Sequence, residues 1–331
     1  MRVLVTGATG FLGGYVVEEL RAHGHEVTAA TRKGSDTSRL ERSRVVRRPF
    51  DLAQPEGMSE AVRGMDAVVH LAAYYTFTGQ KELYRKLNVE ATEALVKACR
   101  SEGVGHLLYC SSTEAIGPVQ GIGDEESELR PQYDYGRSKV EAERLVRERS
   151  GPMGWTVLRP SGIYGPGNVD DVSYWTIVTY GDRRSTRYLI GSGKNLIQFV
   201  HVKDVALAFR LALDRREAAN GRTYIVSDKR AYTYEEVYHM LSELKGVPPP
   251  QGHIPAFLAK AMLAPVQLTN KLRGKDNFLM RTSTIDALTT DRAYSIERAR
   301  RELGYEPQHD LRAGLAETIG WYRDNGFLPP A

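Results

Sequence analysis

The sequence predicts the α/β fold class, built on a doubly wound parallel sheet, and three observations predict it. Short β-type runs alternate with stretches of helical periodicity from the first residue, the order that builds βαβ units. Three glycines, Gly7, Gly10 and Gly13, stand between the first such run and an amphipathic stretch. The chain has 331 residues, 41% apolar and 26% charged, which is enough for a large core and excludes collagen-like, disordered and disulfide-scaffold classes.

Taken in order, strands are predicted at Arg2–Thr6, Glu26–Thr31, Val45–Phe50, Ala67–Leu71, His106–Ser111 and Thr156–Arg159. Helices fall between them. Phe11–Ala22 is one. Leu83–Ser101 is a second, with Tyr84, Leu87, Ala91, Leu95 and Ala98 on one face. Gly136–Arg149 is a third, and its charges leave only a narrow apolar stripe. After Pro160 the alternation breaks at Gly162-Ile163-Tyr164-Gly165-Pro166-Gly167. A strand-like Gln198–Val202, a helix at Val205–Leu213 and a strand at Thr223–Ser227 follow. Helices near Tyr234–Leu244, Ile254–Leu268, Ser295–Leu303 and Leu311–Asn325 close the chain.

Lys plus Arg exceeds Asp plus Glu by 45 − 41 = +4, too little to argue for a nucleic-acid partner. Two cysteines, Cys99 and Cys110, both in apolar surroundings, support neither a disulfide framework nor a cysteine metal site, and fit a reducing cytoplasm. His70 and His201 have no companions at ligand spacing, so no metal is assigned. The chain begins directly with a strand, leaving no room for a targeting signal. No run is long enough to span a membrane; the nearest, Ile254–Leu268, is interrupted by Lys260 and Pro265.

Thr6-Gly7-Ala8-Thr9-Gly10-Phe11-Leu12-Gly13 has the strand–turn–helix context of a phosphate-binding loop. Gly7 permits the tight turn, Gly10 lets a pyrophosphate approach the backbone, and Gly13 lets the helix pack closely on the strand. The helix N-terminus then faces the anion.

This Gly-x-x-Gly-x-x-Gly spacing resembles the short-chain dehydrogenase/reductase superfamily, and further motifs follow in that family's order. Asp51-Leu52 is similar to its adenine contact, and His70-Leu71-Ala72-Ala73 takes the place of its Asn-Ala-Gly element. Tyr135-Gly136-Arg137-Ser138-Lys139 matches Tyr-x-x-x-Lys, with Tyr109-Cys110-Ser111-Ser112-Thr113 upstream. Arg159-Pro160 and Tyr164-Gly165-Pro166-Gly167 resemble an element of the extended branch, the NAD(P)-dependent epimerase/dehydratase group. Asn88 resembles part of that branch's Asn-Val-x-x-Thr element, and a structural role is favoured for it.

The resemblance implies a Rossmann-type sheet with a smaller, interleaved C-terminal substrate lobe. Residues 1–165 with about 198–228 would form the first, and 166–197 with 229–331 the second. It implies a cofactor site made by Gly7, Thr9, Gly10, Phe11, Leu12 and Gly13, then Asp51, Leu52, Leu71, Ala72, Ala73, Lys139, Pro160 and Ile163. At the end of the second strand, where a carboxylate would hold a ribose hydroxyl, stand Arg32 and Lys33. Two cations suit a 2′-phosphate, so NADP(H) is the expected cofactor, with NAD(H) as the alternative.

Tyr135 and Lys139, four apart, share a helical face. A tyrosine with a pKa near ~10 is a poor base at neutral pH, but a nearby ammonium stabilises its phenolate. The resemblance implies that Tyr135 exchanges the proton, Lys139 tunes it and holds the nicotinamide ribose, and Ser112 orients the substrate oxygen. A binding-only sensor would require loss of these residues, and all three are present.

Two substrate classes compete within the branch. Ser112-Thr113-Glu114 lacks the Asp of hexose dehydratases, although Glu114 keeps a nucleotide-sugar epimerase or decarboxylase in view. Gly191–Val205 resembles the corresponding segment of 3β-hydroxysteroid dehydrogenases. Ile197 stands where nucleotide-sugar enzymes place a diphosphate-clamping arginine. The favoured function is therefore reversible oxidation of a secondary alcohol on an apolar or alicyclic, steroid- or flavonoid-like small molecule. Tyr75, Thr113, Glu114 and Tyr174 are the expected substrate contacts, beside Tyr74, Thr76, Phe77 and Trp175 as candidate walls. Ile254–Leu268 reads equally as a cap over the substrate or as a weak interfacial anchor. The resemblance also implies a homodimer through Leu83–Ser101 and Gly136–Arg149.

Overall fold

The computed structural model describes residues 1–76, 79–169, 172–180, 188–273 and 281–329. Its centre is a seven-stranded parallel sheet: β1 Arg2–Thr6, β2 Glu26–Thr31, β3 Val46–Pro49, β4 Ala67–His70, β5 His106–Cys110, β6 Gly154–Pro160 and β7 Arg222–Val226. The spatial order β3-β2-β1-β4-β5-β6-β7 reverses direction between β1 and β4, the switch point where open α/β sheets bind ligands.

Both faces of the sheet are buried, which is why its strands read as near-continuous apolar runs. Alternate side chains serve opposite layers. Val3, Val5, Ala67, Val69 and Leu108 join α1 (Phe11–Ala22) and the helix Val202–Asp214 in one cluster. Leu4, Val68, Leu107 and Tyr109 join α2 (Ala91–Ser101) and α3 (Asp134–Arg149) in the other. Cys99 and Cys110 are buried, unpaired members of these layers.

Beyond the sheet, short strand pairs knit the later chain to it. Phe199–His201 pairs with Gly162–Tyr164, Leu196–Ile197 with Tyr232–Thr233, Gly252–Ile254 with Tyr188–Ile190, and Ala293–Tyr294 with Ile122–Gly123. A third cluster contains Tyr164, Tyr180, Tyr232, Leu241, Leu315, Ile319 and Tyr322.

Three sequence expectations are corrected. The helix expected over Leu83–Ser101 is divided into Lys81–Tyr84, a π-helical stretch Arg85–Glu90, and α2. The wider turn carries Asn88, whose buried side chain bonds outside the helix. The helix expected at Ile254–Leu268 begins at Ala256 and runs through Pro265 to Leu272, because Gly252–Ile254 pairs as a strand. The last short helix begins at Glu297, after Ala293–Tyr294 has paired with Ile122–Gly123.

Candidate active site

The glycine turn leaves β1 toward the switch point, and packing dictates its composition. Gly7 has φ +69°, and a Cβ there would lie 2.8 Å from the Ala72 nitrogen. A Cβ on Gly13 would lie 2.0 Å from the Gly7 carbonyl oxygen. Around Gly10, only that same oxygen comes within 4 Å of a built Cβ, so the outer side of the turn is open. Gly10 is also the N-cap of α1 and supplies no side-chain acceptor to the first backbone N–H groups. This bare cradle at a helix N-terminus fits a dinucleotide pyrophosphate.

The other expected cofactor residues ring this end of the sheet. Thr9, Phe11 and Leu12 are partly buried in the turn, as are Leu71, Ala72 and Ala73 after β4. Asp51 accepts from the Ala53 nitrogen at 2.9 Å, while Leu52 packs against the core. Pro160 ends β6 and Ile163 lies just beyond it. Arg32 and Lys33 follow β2, are exposed, and have no ion-pair partner among the described residues.

A polar relay ties the turn to the neighbouring helices. Thr6 Oγ1 accepts from the Ala72 nitrogen at 3.2 Å and lies 2.7 Å from His70 Nδ1; His70 Nε2 lies 3.2 Å from Thr92 Oγ1, which donates to the Asn88 carbonyl at 2.6 Å. The pattern assigns a neutral imidazole, and burial, aided by Lys139, pulls the His70 pKa down to about 3. Asn88 Oδ1 accepts from the Tyr74 nitrogen at 2.7 Å, and its Nδ2 donates to the Tyr74 carbonyl and Ser138 Oγ, each at 3.0 Å. It thereby pins the loop after β4 against α3.

On α3, Tyr135 and Lys139 face the C-terminal end of β5. Lys139 is 2% exposed, and its Nζ donates to the Cys110 carbonyl at 2.7 Å. The ammonium stands 5.6 Å from the Tyr135 ring centroid and 5.0 Å from that of Tyr109. Burial lowers its pKa, while nearby Cys110 and Glu143 act in the opposite sense. Tyr75 packs edge-on against Tyr135 at 4.9 Å.

Ser112 follows β5 and caps the short turn Thr113–Ala115, its Oγ accepting from the Glu114 nitrogen at 3.1 Å. Gly136 seats this turn against α3, since a Cβ there would lie 2.4 Å from the Glu114 carbonyl oxygen. Ser112 and Tyr135 are thus on two backbone segments in direct contact. Tyr174 is elsewhere, its ring packed against Tyr322 at 5.4 Å and Phe327 at 6.0 Å. Phe77 and the Trp175 side chain lie outside the described residues.

The structure shows which partners these and other side chains take across the fold. Arg292, 9% exposed, donates from Nη1 to Glu114 Oε1 and from Nη2 to Gln132 Oε1, both at 2.6 Å. Its Nε and Glu114 Oε2 are buried without hydrogen-bond partners among the described residues. One helical turn beyond Lys139, Glu143 accepts from Arg159 Nε at 2.9 Å and Nη2 at 2.7 Å, and from Ser111 Oγ at 2.5 Å. Burial alone would raise the Glu143 pKa, but Arg159 and Ser111 hold it below the ordinary carboxylate value. His201 caps the helix Val202–Asp214 and stacks on His309 at 4.1 Å, whose Nδ1 lies 2.9 Å from Asp204 Oδ1.

A glycine cradle at the switch point of a doubly wound sheet thus lies on the same side of the molecule as a buried lysine beside a tyrosine. The sequence profile of the NAD dependent epimerase/dehydratase family matches residues 3–227, and the chain belongs to that family. It is an enzyme of the NAD(P)-dependent oxidoreductase type. The chain is 30% identical over 328 residues to a 2-alkyl-3-oxoalkanoate reductase of Stenotrophomonas maltophilia, covering 95% of this chain and 97% of the relative. It is 29% identical to sterol demethylase protein B of Methylococcus capsulatus, covering 99% and 100%. Among solved structures, gox2253 superposes with a TM-score of 0.81 at 29% identity over 98% of this chain and 99% of that one. MoeE5, solved with UDP-glucuronic acid and NAD, superposes with a TM-score of 0.75 at 27% identity, covering 98% and 100%.

Proposed function

We propose that the protein transfers hydride between NADP(H) and a secondary alcohol or ketone on a mainly apolar substrate, with Tyr135, Lys139 and Ser112 as the reacting set. The observation that carries the reading is the buried Lys139 ammonium, held on the Cys110 carbonyl at 2.7 Å and 5.6 Å from the Tyr135 ring. A desolvated cation at that distance favours the phenolate over the phenol. When bound, the nicotinamide cofactor supplies the hydride for reduction or accepts it in oxidation.

In the reductive direction Tyr135 gives its hydroxyl proton to the carbonyl oxygen as that oxygen becomes the alcohol, leaving a phenolate beside Lys139. In the oxidative direction the phenolate takes the proton back. Ser112 receives a hydrogen bond from the Glu114 nitrogen on its oxygen, so its own proton is available to the same substrate oxygen. Arg32 and Lys33, exposed at the end of β2, support the NADP(H) assignment. Residues 166–197 and 229–331 are assigned to the substrate side of the molecule.

The apolar substrate is supported by Ile197, which pairs with Tyr232 and offers an anion nothing to bind, and by Tyr75 against Tyr135. The names of the two relatives, a 2-alkyl-3-oxoalkanoate reductase and sterol demethylase protein B, agree with it. A nucleotide-sugar epimerase or decarboxylase is the second reading, favoured by Glu114 beside Ser112 and by the similarity to MoeE5. A homodimer through α2 and α3 belongs to the proposal. Tyr135→Phe tests the mechanism: NADPH binding should persist while turnover is abolished, and unchanged turnover would refute it.

A further inference from the structure

The helix α4, Ala256–Leu272, is mounted inside out. Eleven large apolar side chains are exposed among the described residues, and six of them lie on this one helix: Phe257 (76%), Leu258, Met262 (63%), Val266, Leu268 and Leu272 (79%). At ~100° per residue they fall on one contiguous half of the helical wheel, shared with Ala261, Pro265 and Thr269. Two polar residues, Lys260 and Gln267, face the protein instead. Lys260 pairs with Asp286 at 2.5 Å, and Gln267 Oε1 accepts from the Thr282 nitrogen and hydroxyl at 3.0 and 3.1 Å. These bonds fix the helix with its apolar side outward, the reverse of a helix that packs on a water-soluble core.

Its charge selects the occupant. Between Glu243 and Asp276 the sequence has no Asp or Glu and five Lys or Arg. Lys245 donates to the Ile177, Val178 and Tyr180 carbonyls and Lys260 pairs with Asp286, while Lys271, Arg273 and Lys275 cluster in sequence at the end of the helix. An apolar face flanked in sequence by this basic cluster complements anionic lipid headgroups over acyl chains. A second copy would bring the same cations against themselves. The helix also adjoins the candidate site. It rests on Thr282–Leu288, whose backbone accepts hydrogen bonds from Tyr133 at Ser283 and from Tyr234 at Ala287, each at 3.2 Å.

We propose that α4 is a peripheral docking surface for an anionic lipid bilayer. Its apolar face enters the boundary between headgroups and acyl chains and holds the adjoining candidate site near the membrane surface. No helix among the described residues is long and apolar enough to cross a membrane, so the attachment lies in the interface plane. Docking itself follows from this helix alone, whereas its use, delivery of an apolar substrate from the bilayer, rests on the proposed function.

The test is flotation of the full chain with vesicles of phosphatidylcholine, alone and mixed with phosphatidylglycerol. The chain should float with the mixed vesicles and less with the neutral ones. A variant combining Phe257→Ser, Met262→Ser and Leu268→Ser should stay behind while keeping its melting temperature and NADPH binding, since all three side chains are exposed. Failure of the wild-type chain to float, or equal flotation of the variant, overturns the proposal. So does light scattering that shows the variant losing a self-association the wild-type chain has, with no vesicle binding by either. Flotation without NADPH-dependent turnover of any apolar ketone would leave the docking surface standing and reject the functional reading.

Discussion

Arg292 donates from Nη1 to Glu114 Oε1 at 2.6 Å across 178 residues of sequence, while its Nη2 holds Gln132 at the same distance. One guanidinium therefore links the segment carrying Ser112 to the segment entering α3 and Tyr135. We expect Arg292→Ala to lower kcat about 30-fold, equivalent to ~2 kcal/mol of barrier, with little change in NADPH affinity. Arg292→Lys should recover part of the loss. Equal kcat in Arg292→Ala would show that the link does not position the reacting groups.

Gly13 is the tightest point of the nucleotide cradle. In Gly13→Ala the new methyl meets backbone on two sides, at 2.0 Å from the Gly7 oxygen and 2.7 Å from the Ala8 Cα, so the turn must shift. NADPH affinity should fall at least tenfold, with ~1–3 kcal/mol of lost stability. Gly57→Ala is the control, because nothing lies within 4 Å of a Cβ there. Fluorescence titration and urea unfolding of both variants check the pair; an intact Gly13→Ala would mean the helix does not need its close seat.

Three histidines are held neutral by burial: His70 with its pKa pulled to about 3, His106 to about 4 and His201 to about 4. Each folded value lies below the ordinary value of ~6.5, so between ~6.5 and these values the unfolded chain binds more protons. Their stabilisation is complete above ~6.5 and is lost as pH falls, at up to ~1.4 kcal/mol per pH unit for each. Urea midpoints should drop steeply from pH 7 to pH 5, and less steeply in His70→Asn. A flat profile over that window would contradict the buried neutral state of these rings.

Local chemistry made much of the sheet legible. The bounds read for β1, α1 and β2, Arg2–Thr6, Phe11–Ala22 and Glu26–Thr31, coincide with the observed ones, because doubly buried strands and flanking glycines are strong short-range signals. Elements of two or three residues, such as Leu196–Ile197 and Ala293–Tyr294, escaped because their existence depends on distant partners. Asn88 was read as structural from local bonding alone, while the π-helical turn that carries it depends on the Tyr74 loop and Ser138. Tyr135 and Lys139 were visible as neighbours on a helix. Arg292, and Glu143 as the partner of Arg159, were not, since an isolated arginine or glutamate has no pattern until folding buries it beside a partner.

Cofactor choice is concentrated at the end of β2. Replacing both Arg32 and Lys33 by alanine should raise the KM for NADPH about tenfold or more, leave that for NADH nearly unchanged, and flatten the salt dependence of NADPH binding. Equal or better turnover of the wild-type enzyme with NADH at matched concentrations would overturn the NADP(H) assignment.

Net hydride transfer to an apolar ketone consumes the cofactor stoichiometrically, whereas epimerisation recycles it. A panel of hydroxysteroid- and flavonoid-like ketones and nucleotide sugars should be incubated with NADPH, and absorbance compared with product formed. One NADPH should be consumed per alcohol produced from an apolar ketone and none with the sugars. Conversion of a nucleotide sugar with no net change in the cofactor, alongside inert apolar ketones, would contradict it.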